Sequence, residues 1–269
     1  MLLTANGIFF PDVRHELFDS HKTRDDFRLT PEKIDYEMQF LQGQSTYLQI
    51  HYLTQQGLEH FVRHYAYPYK VLYLTYNYVT DLSPLGDLPN LEAIRIDDCW
   101  QARSLWDFSR NDSLKVLSVS GSKKLVTNPM PLQTSHTLEE IRFWGGDFDN
   151  KYHLQSLSCF SGLTTLKRID LNNIKLKEHN LDVLSTLPNL EQFHFDAGML
   201  TTEEIAWICA KFPNLYGDCL GVYTTNDICL NDIRICGHRK PSLDLPRDQK
   251  KLDKYTAEFN ALVEKYKAL

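Results

Sequence analysis

The sequence predicts an α/β fold in which short parallel strands, one per repeat, line one side of a stack while helices and turns return the chain along the other. Three observations predict it. The pattern L-x-x-L-x-L recurs as "STYLQI" from Ser45, "YKVLYL" from Tyr69, "LEAIRI" from Leu91, "LKVLSV" from Leu114, "LEEIRF" from Leu138, "LKRIDL" from Leu166 and "LEQFHF" from Leu190. The steps between these hexamers run from 22 to 28 residues, the length of one strand plus its return connection. Within each hexamer apolar and variable letters alternate, as a strand with one buried face requires.

Residues 1–44 read as an N-terminal cap, because a stack of repeats leaves a raw apolar end that a terminal unit must cover. In "LTPEKIDYEMQFL", Thr30 is placed to cap a helix, Pro31 takes its first position, and Ile34, Met38 and Leu41 share a face. Residues 45–222 hold the repeats. The return "TQQGLEHFVRHY" predicts a helix opened by Thr54, with Leu58, Phe61, Val62 and Tyr65 inward, whereas "SPLGDLPN" is too short for a long helix. Further on, "TTEEIAWICAKF" sets Thr201 and Glu204 in capping-box spacing ahead of Ile205, Ile208 and Phe212. Leu215 opens a last, frayed unit whose next template position is Asp218.

Residues 223–269 read as a C-terminal cap. Alternation through Ile228, Leu230, Ile233 and Ile235 predicts strands or a hairpin. The final segment spaces Leu252, Tyr255, Phe259, Leu262, Tyr266 and Leu269 by alternating threes and fours, one seam of a helix. Docking of that seam on its own chain is expected, which makes the protein a monomer; pairing with a second chain is the alternative.

Strand periodicity sends the template letters inward: Leu72 with Leu74, Ile94 with Ile96, Leu117 with Val119, Ile141 with Phe143, Ile169 with Leu171, Phe193 with Phe195. The letters between them face out. That set contains the candidate partner-binding residues Tyr47, Tyr73, Arg95, Asp97, Arg142, Trp144, Arg168, Asp170, His194 and Asp196. Tyr, Trp and Arg are the side chains that carry most binding energy at interfaces.

The hexamers and their spacing resemble the leucine-rich-repeat family over about residues 45–222. The unit "VTDLSPLGDLPNLEAIRI" is similar to short internalin-type repeats, and "LTTEEIAWICAKFPNL" resembles the longer repeats of ribonuclease inhibitor. The resemblance implies a solenoid, with a curved parallel sheet on the concave side, mixed helices and short turns on the convex side, and a partner held on the concave sheet. At the family's Asn or Cys position this chain reads Leu53, Asn77, Cys99, Ser122, Gly146, Ile174 and Gly198. Only Asn77 and Cys99 conform, so a less regular inner turn is expected at the others.

Composition narrows the function. The chain has 269 residues and a net charge of −6, and its 29 Lys and Arg are scattered, which argues against a nucleic-acid partner. No stretch matches a signal peptide or a membrane span, so a cytoplasmic protein without a membrane partner is expected. Six cysteines without a CxxC pair are expected to be reduced. Cys219, Cys229, Cys236 and His238 lack zinc-site spacing and read as buried thiols beside a histidine. His60 and His64 follow Glu59 in the wrong order for a zinc hydrolase and read as a solvated helix face. The loop "GGDFDNKYH", with Asp147, Asp149 and Asn150, lacks the bidentate Glu of a calcium loop and reads as a solvated insertion. His194 and Asp196 have no nucleophile beside them, and no cofactor fingerprint occurs.

The expectation is therefore a non-catalytic module that binds an unidentified protein partner without a cofactor or metal. Asp97, Asp98, Asp170 and Asp196 would complement a basic partner. An inhibitor or immunity-type protein is one form of this reading. A structural protein that self-assembles through its C-terminal helix is the alternative from another class, and an enzyme built around the cysteine cluster is a third.

Overall fold

A computed structural model describes residues 28–41, 46–146, 151–225 and 231–269, together with the backbone of three two-residue strands near the start. Ser45, Asp147, Asp149, Asn150, Ile228, Cys229 and Leu230, singled out above, lie outside the described residues. The chain begins with β1 (Leu3–Thr4), β2 (Gly7–Ile8), β3 (Glu16–Leu17), α1 (Pro31–Leu41), β4 (Tyr47–His51), α2 (Gln55–His64), β5 (Val71–Thr75) and β6 (Ala93–Asp97). It continues with β7 (Val116–Ser120), α3 (Lys123–Thr127), β8 (Glu140–Trp144), β9 (Tyr152–Leu154), β10 (Arg168–Asn172), β11 (Ile174–Leu176) and β12 (Gln192–Phe195). Last come α4 (Thr202–Lys211), β13 (Tyr223–Thr224), β14 (Ile233–Ile235), β15 (Ser242–Leu243) and α5 (Gln249–Lys267).

Strands β3, β4, β5, β6, β7, β8, β10 and β12 make one sheet in chain order, and every neighbouring pair is parallel. The register matches the hexamers residue for residue. Leu48, Leu72, Ile94, Leu117, Ile141, Ile169 and Phe193 form one lateral row, and Ile50, Leu74, Ile96, Val119, Phe143, Leu171 and Phe195 form the next. Both rows are buried. Because side chains alternate along a strand, the same register lines up the remaining letters on the other, open face.

Connections between strands return over the buried face and vary with the space they fill. The return after β4 is α2, whose cap Thr54 accepts from the Gly57 N–H at 3.0 Å and whose Leu58 and Phe61 point into the core. Shorter returns make single 3-10 turns at Ser83–Asp87, Met130–Thr134, Leu157–Phe160 and Asp182–Thr186. The longest repeat carries an extra strand. The end of the segment read as a solvated insertion belongs to β9, which pairs in parallel with β11 and buries Tyr152 and Leu154.

The turn after the strands is more regular than its letters suggest. Tyr52, Tyr76, Asp98, Gly121 and Asn173, each one step past a strand, all have φ between 54° and 60°. In two of these turns the next position carries a buried acceptor for the preceding repeat: Asn77 Oδ1 accepts from Leu53 N–H and Ser122 Oγ accepts from Cys99 N–H, both at 2.9 Å. Ser122, which departs from the expected Asn or Cys, does the same work, because the task requires only an oxygen at that depth. Gly121 has a second reason to be glycine, since an added Cβ would come within 2.1 Å of the Asp98 carboxylate.

Both ends of the chain differ in detail from expectation. The N-terminal segment supplies strand β3 as well as helix α1. His60, expected on a solvated face, ties α2 to α1: its Nε2 lies 2.6 Å from Asp35 Oδ1, which also accepts from the Tyr65 hydroxyl at 2.6 Å. At the other end β13, β14 and β15 form an antiparallel sheet, and α4 opens with the full Thr201–Glu204 capping box. Helix α5 packs on α4, burying Leu252 and Phe259 and half-burying Tyr255, Leu262 and Tyr266, while Leu269 is exposed. The expected seam is thus covered by the chain itself. No helix among the described residues is long and apolar enough to cross a membrane.

Candidate functional site

The open face starts as three outward rows. Tyr47, Val71, Ala93, Val116, Glu140, Arg168 and Gln192 form the first, and Gln49, Tyr73, Arg95, Ser118, Arg142, Asp170 and His194 the second. His51, Thr75, Asp97, Ser120, Trp144 and Asn172 form the third, at the strand ends. Strand neighbours lie about 4.8 Å apart, so charged side chains in these rows reach one another before they reach a partner.

They do so in two clusters. On β5 and β6 the Tyr73 hydroxyl donates to Asp97 Oδ2 at 2.7 Å, Arg95 pairs with the same oxygen at 2.7 Å, and its guanidinium lies 4.8 Å from the centre of the Tyr73 ring. Burial and the Asp97 carboxylate push the Tyr73 phenol well above its ordinary value. On β8 and β10, Asp170 Oδ2 sits 3.3 Å from Arg142 and 3.4 Å from Arg168, while Asn172 donates to Oδ1. Arg168 also donates to Gln192 Oε1 at 2.7 Å. Asp196 takes Lys151 at 3.0 Å and the Asn173 N–H at 2.9 Å, and His194 faces Asp218 at 3.3 Å.

These pairings correct the expected charge of the site. Asp97 and Asp170 are already paired with arginines of the same face and Asp196 with Lys151 from the loop before β9, so they are not an acidic patch awaiting a basic partner. Asp170 holds its face together. Asp170→Ala is expected to cost about 3 kcal/mol, because it leaves two guanidinium groups facing each other without their shared carboxylate. Urea unfolding of this variant beside Asp170→Asn checks it, and equal stability of Asp170→Ala and the parent would refute it.

An open cleft of about 1130 Å³ lies over the ends of β7, β8, β10 and β12. It gathers Trp144, Arg168, Asp170, His194 and Asp196 from the expected set and leaves Tyr47, Tyr73, Arg95, Asp97 and Arg142 outside its lining. Tyr47 is buried. The turns add residues that the strand template did not mark: Asp98, Trp100, Gly121, Lys123, Lys124 and Asn173 also line the cleft.

Leading to the cleft is a row of rings. Tyr52 stacks on Tyr76 with centroids 5.8 Å apart, and Tyr76 meets Trp100 at 6.2 Å. Tyr76, Trp100 and Trp144 are 42%, 53% and 51% exposed. Tyr52 and Tyr76 hold left-handed backbone positions that cost a residue with a Cβ roughly 1 kcal/mol, where Asn, Asp and Gly stand in other repeats. Their column in the repeat alignment was the available signal: two tyrosines where turn formers belong.

Several of the described cysteines are held as thiols. Burial pushes the Cys99 thiol up to about 11 and Cys159 up to about 12. The Cys219 thiol hydrogen-bonds the Cys236 side chain, which with burial raises it far above the ordinary range. His238 is exposed, with Nδ1 3.4 Å from the Gly198 carbonyl. Among the described residues no three His, Cys, Asp or Glu side chains are grouped to hold a metal ion. No model of a known protein family matches the sequence, and no curated protein matches it either.

Proposed function

We propose that the chain is a leucine-rich-repeat solenoid acting as a non-catalytic protein-binding module, with its partner on the concave, open side of the sheet and on the strand-end rim. One observation carries this reading: Tyr76, Trp100 and Trp144 stand exposed together at the strand ends, beside a cleft where Asp170 and Asp196 are already paired. Large aromatic side chains left in water on one side of a molecule mark an interaction surface, because each loses apolar hydration when covered. The pairing of Asp170 with Arg142 and Arg168 preorganises the floor beneath them. Free thiols at Cys99, Cys159, Cys209, Cys219 and Cys236 accord with a reducing compartment. An inhibitor that covers another protein's working surface is one form of such a module.

The test places a photo-crosslinking phenylalanine at Trp144 and, as a control, at exposed Glu203 on the opposite face. Irradiation in lysate of the source cells is expected to join one partner to the Trp144 site and not to the Glu203 site. Adding Tyr76→Asn should cut capture about tenfold or more while leaving the melting temperature unchanged or raised, since Asn accepts the left-handed backbone at lower cost. The same products from both sites, or undiminished capture with Tyr76→Asn, would refute the reading.

A further inference from the structure

Among the described residues that line the cleft, Lys and Arg outnumber Asp, whereas the whole chain is acidic. Of the carboxylates that line it, Asp170, Asp196 and Asp218 each have a basic side chain within 3.4 Å, and the fourth, Asp98, packs against Gly121. Lys123 and Lys124, by contrast, are both exposed on the first turn of α3 and line the cleft, and they form no ion pair among the described residues. They follow Gly121 at the end of β7, between the strand that leads to Trp100 and the strand that ends in Trp144. A net charge of −6 therefore conceals a local site where two ammonium groups stand between two exposed indoles.

We infer that the partner presents an extended acidic segment whose Asp or Glu carboxylates take Lys123 and Lys124 while its apolar side chains cover Trp100 and Trp144. This rests on the reading of the strand-end rim as a protein-binding surface and names what that surface takes. Charge complementarity selects the occupant: a basic segment would meet two exposed lysines that form no ion pair among the described residues, beside Asp170, Asp196 and Asp218, which already have partners. A nucleic acid would need many more phosphate contacts than two lysines supply. Size also fits. From Trp100 beyond β6 to Trp144 at the end of β8 is two strand spacings, about 10 Å, which an extended segment of roughly three to four residues spans.

Matched arrays of immobilised peptides about eight residues long test this. One set combines Trp or Leu with Asp and Glu, a second replaces the acids by Asn and Gln, and a third by Lys. The intact chain is expected to retain the acidic set about tenfold better than the other two and to lose that preference at high salt. In Lys123→Glu/Lys124→Glu the preference should reverse toward the Lys set. Glu is well tolerated in the first turn of a helix, and both side chains are exposed, so the variant is expected to keep the parent's circular dichroism and melting temperature. No retention of any set, equal retention of all three, or an unchanged preference in the double variant would overturn the inference. Crosslinking at Trp144 separates the two levels. Capture that survives Lys123→Glu/Lys124→Glu leaves the binding surface standing and removes the acidic segment, whereas no capture at Trp144 removes the surface itself.

Discussion

Ile141→Asp is expected to abolish cooperative folding, whereas Trp144→Asp, three residues along the same strand, should shift stability by no more than about 0.5 kcal/mol. Ile141 is fully buried, with Leu117 on one side and Ile169 on the other in the first apolar row. A carboxylate there has no cation or N–H donor to face, because the row above and below it is hydrocarbon from β4 to β12. An unpaired polar or charged group in such a place costs several kcal/mol even after the group protonates. Domains are stable by about 5–15 kcal/mol in total, so a loss of about 5 kcal/mol or more removes most or all of the native population. The damage also spreads. Each strand of this sheet is held laterally by its two neighbours, so loosening β8 severs the side that carries β10 and β12 from the side that carries β7. Thermal melts followed by circular dichroism decide it: an Ile141→Asp chain that melts where the parent does would show that the register is wrong.

That register was legible in the sequence because one residue of slip exchanges every buried side chain for an outward one, and only one alignment of the seven hexamers keeps both rows apolar. Helices α2, α4 and α5 were legible for a similar reason, since their caps and seams are local. The charge of the site was harder to read. Arg95 with Asp97 and Arg168 with Asp170 are two residues apart on one face, so their pairing follows from strand geometry alone. Arg142 reaching Asp170, Lys151 reaching Asp196 and His194 reaching Asp218 cross from repeat to repeat or from a loop, and depend on rotamers that letters do not carry. Trp100, Lys123 and Lys124 lie past the last template position, in turns where periodicity is silent. Strand letters therefore located the face, and turn residues decided which part of it is available.

A chain ending after Arg247 is expected to lose about 3 kcal/mol of stability while keeping a monomer's mass in solution. Helix α5 seats Leu252 and Phe259 against the last repeat and the small sheet, with Leu262, Val263 and Tyr266 packed along the core. Each buried side chain of that size contributes about 1.5–3 kcal/mol, and removing the helix also uncovers the side of α4 that now faces it. Part of this is returned, since nineteen helical residues no longer have to be ordered. Asp248 sharpens the boundary. Lys251, the Asp244 N–H and Arg247 converge on its carboxylate and hold it down at about 2, so the junction before α5 is a fixed corner rather than a slack tether. A helix joined through such a corner, with its seam already covered, has little reason to leave for a second chain, since exchange would forfeit contacts it makes without any concentration dependence. Light scattering alongside urea unfolding separates the possibilities: unchanged mass with a lower midpoint supports docking, whereas an intact chain of dimer mass whose truncated form is a stable monomer would show that the seam serves self-assembly.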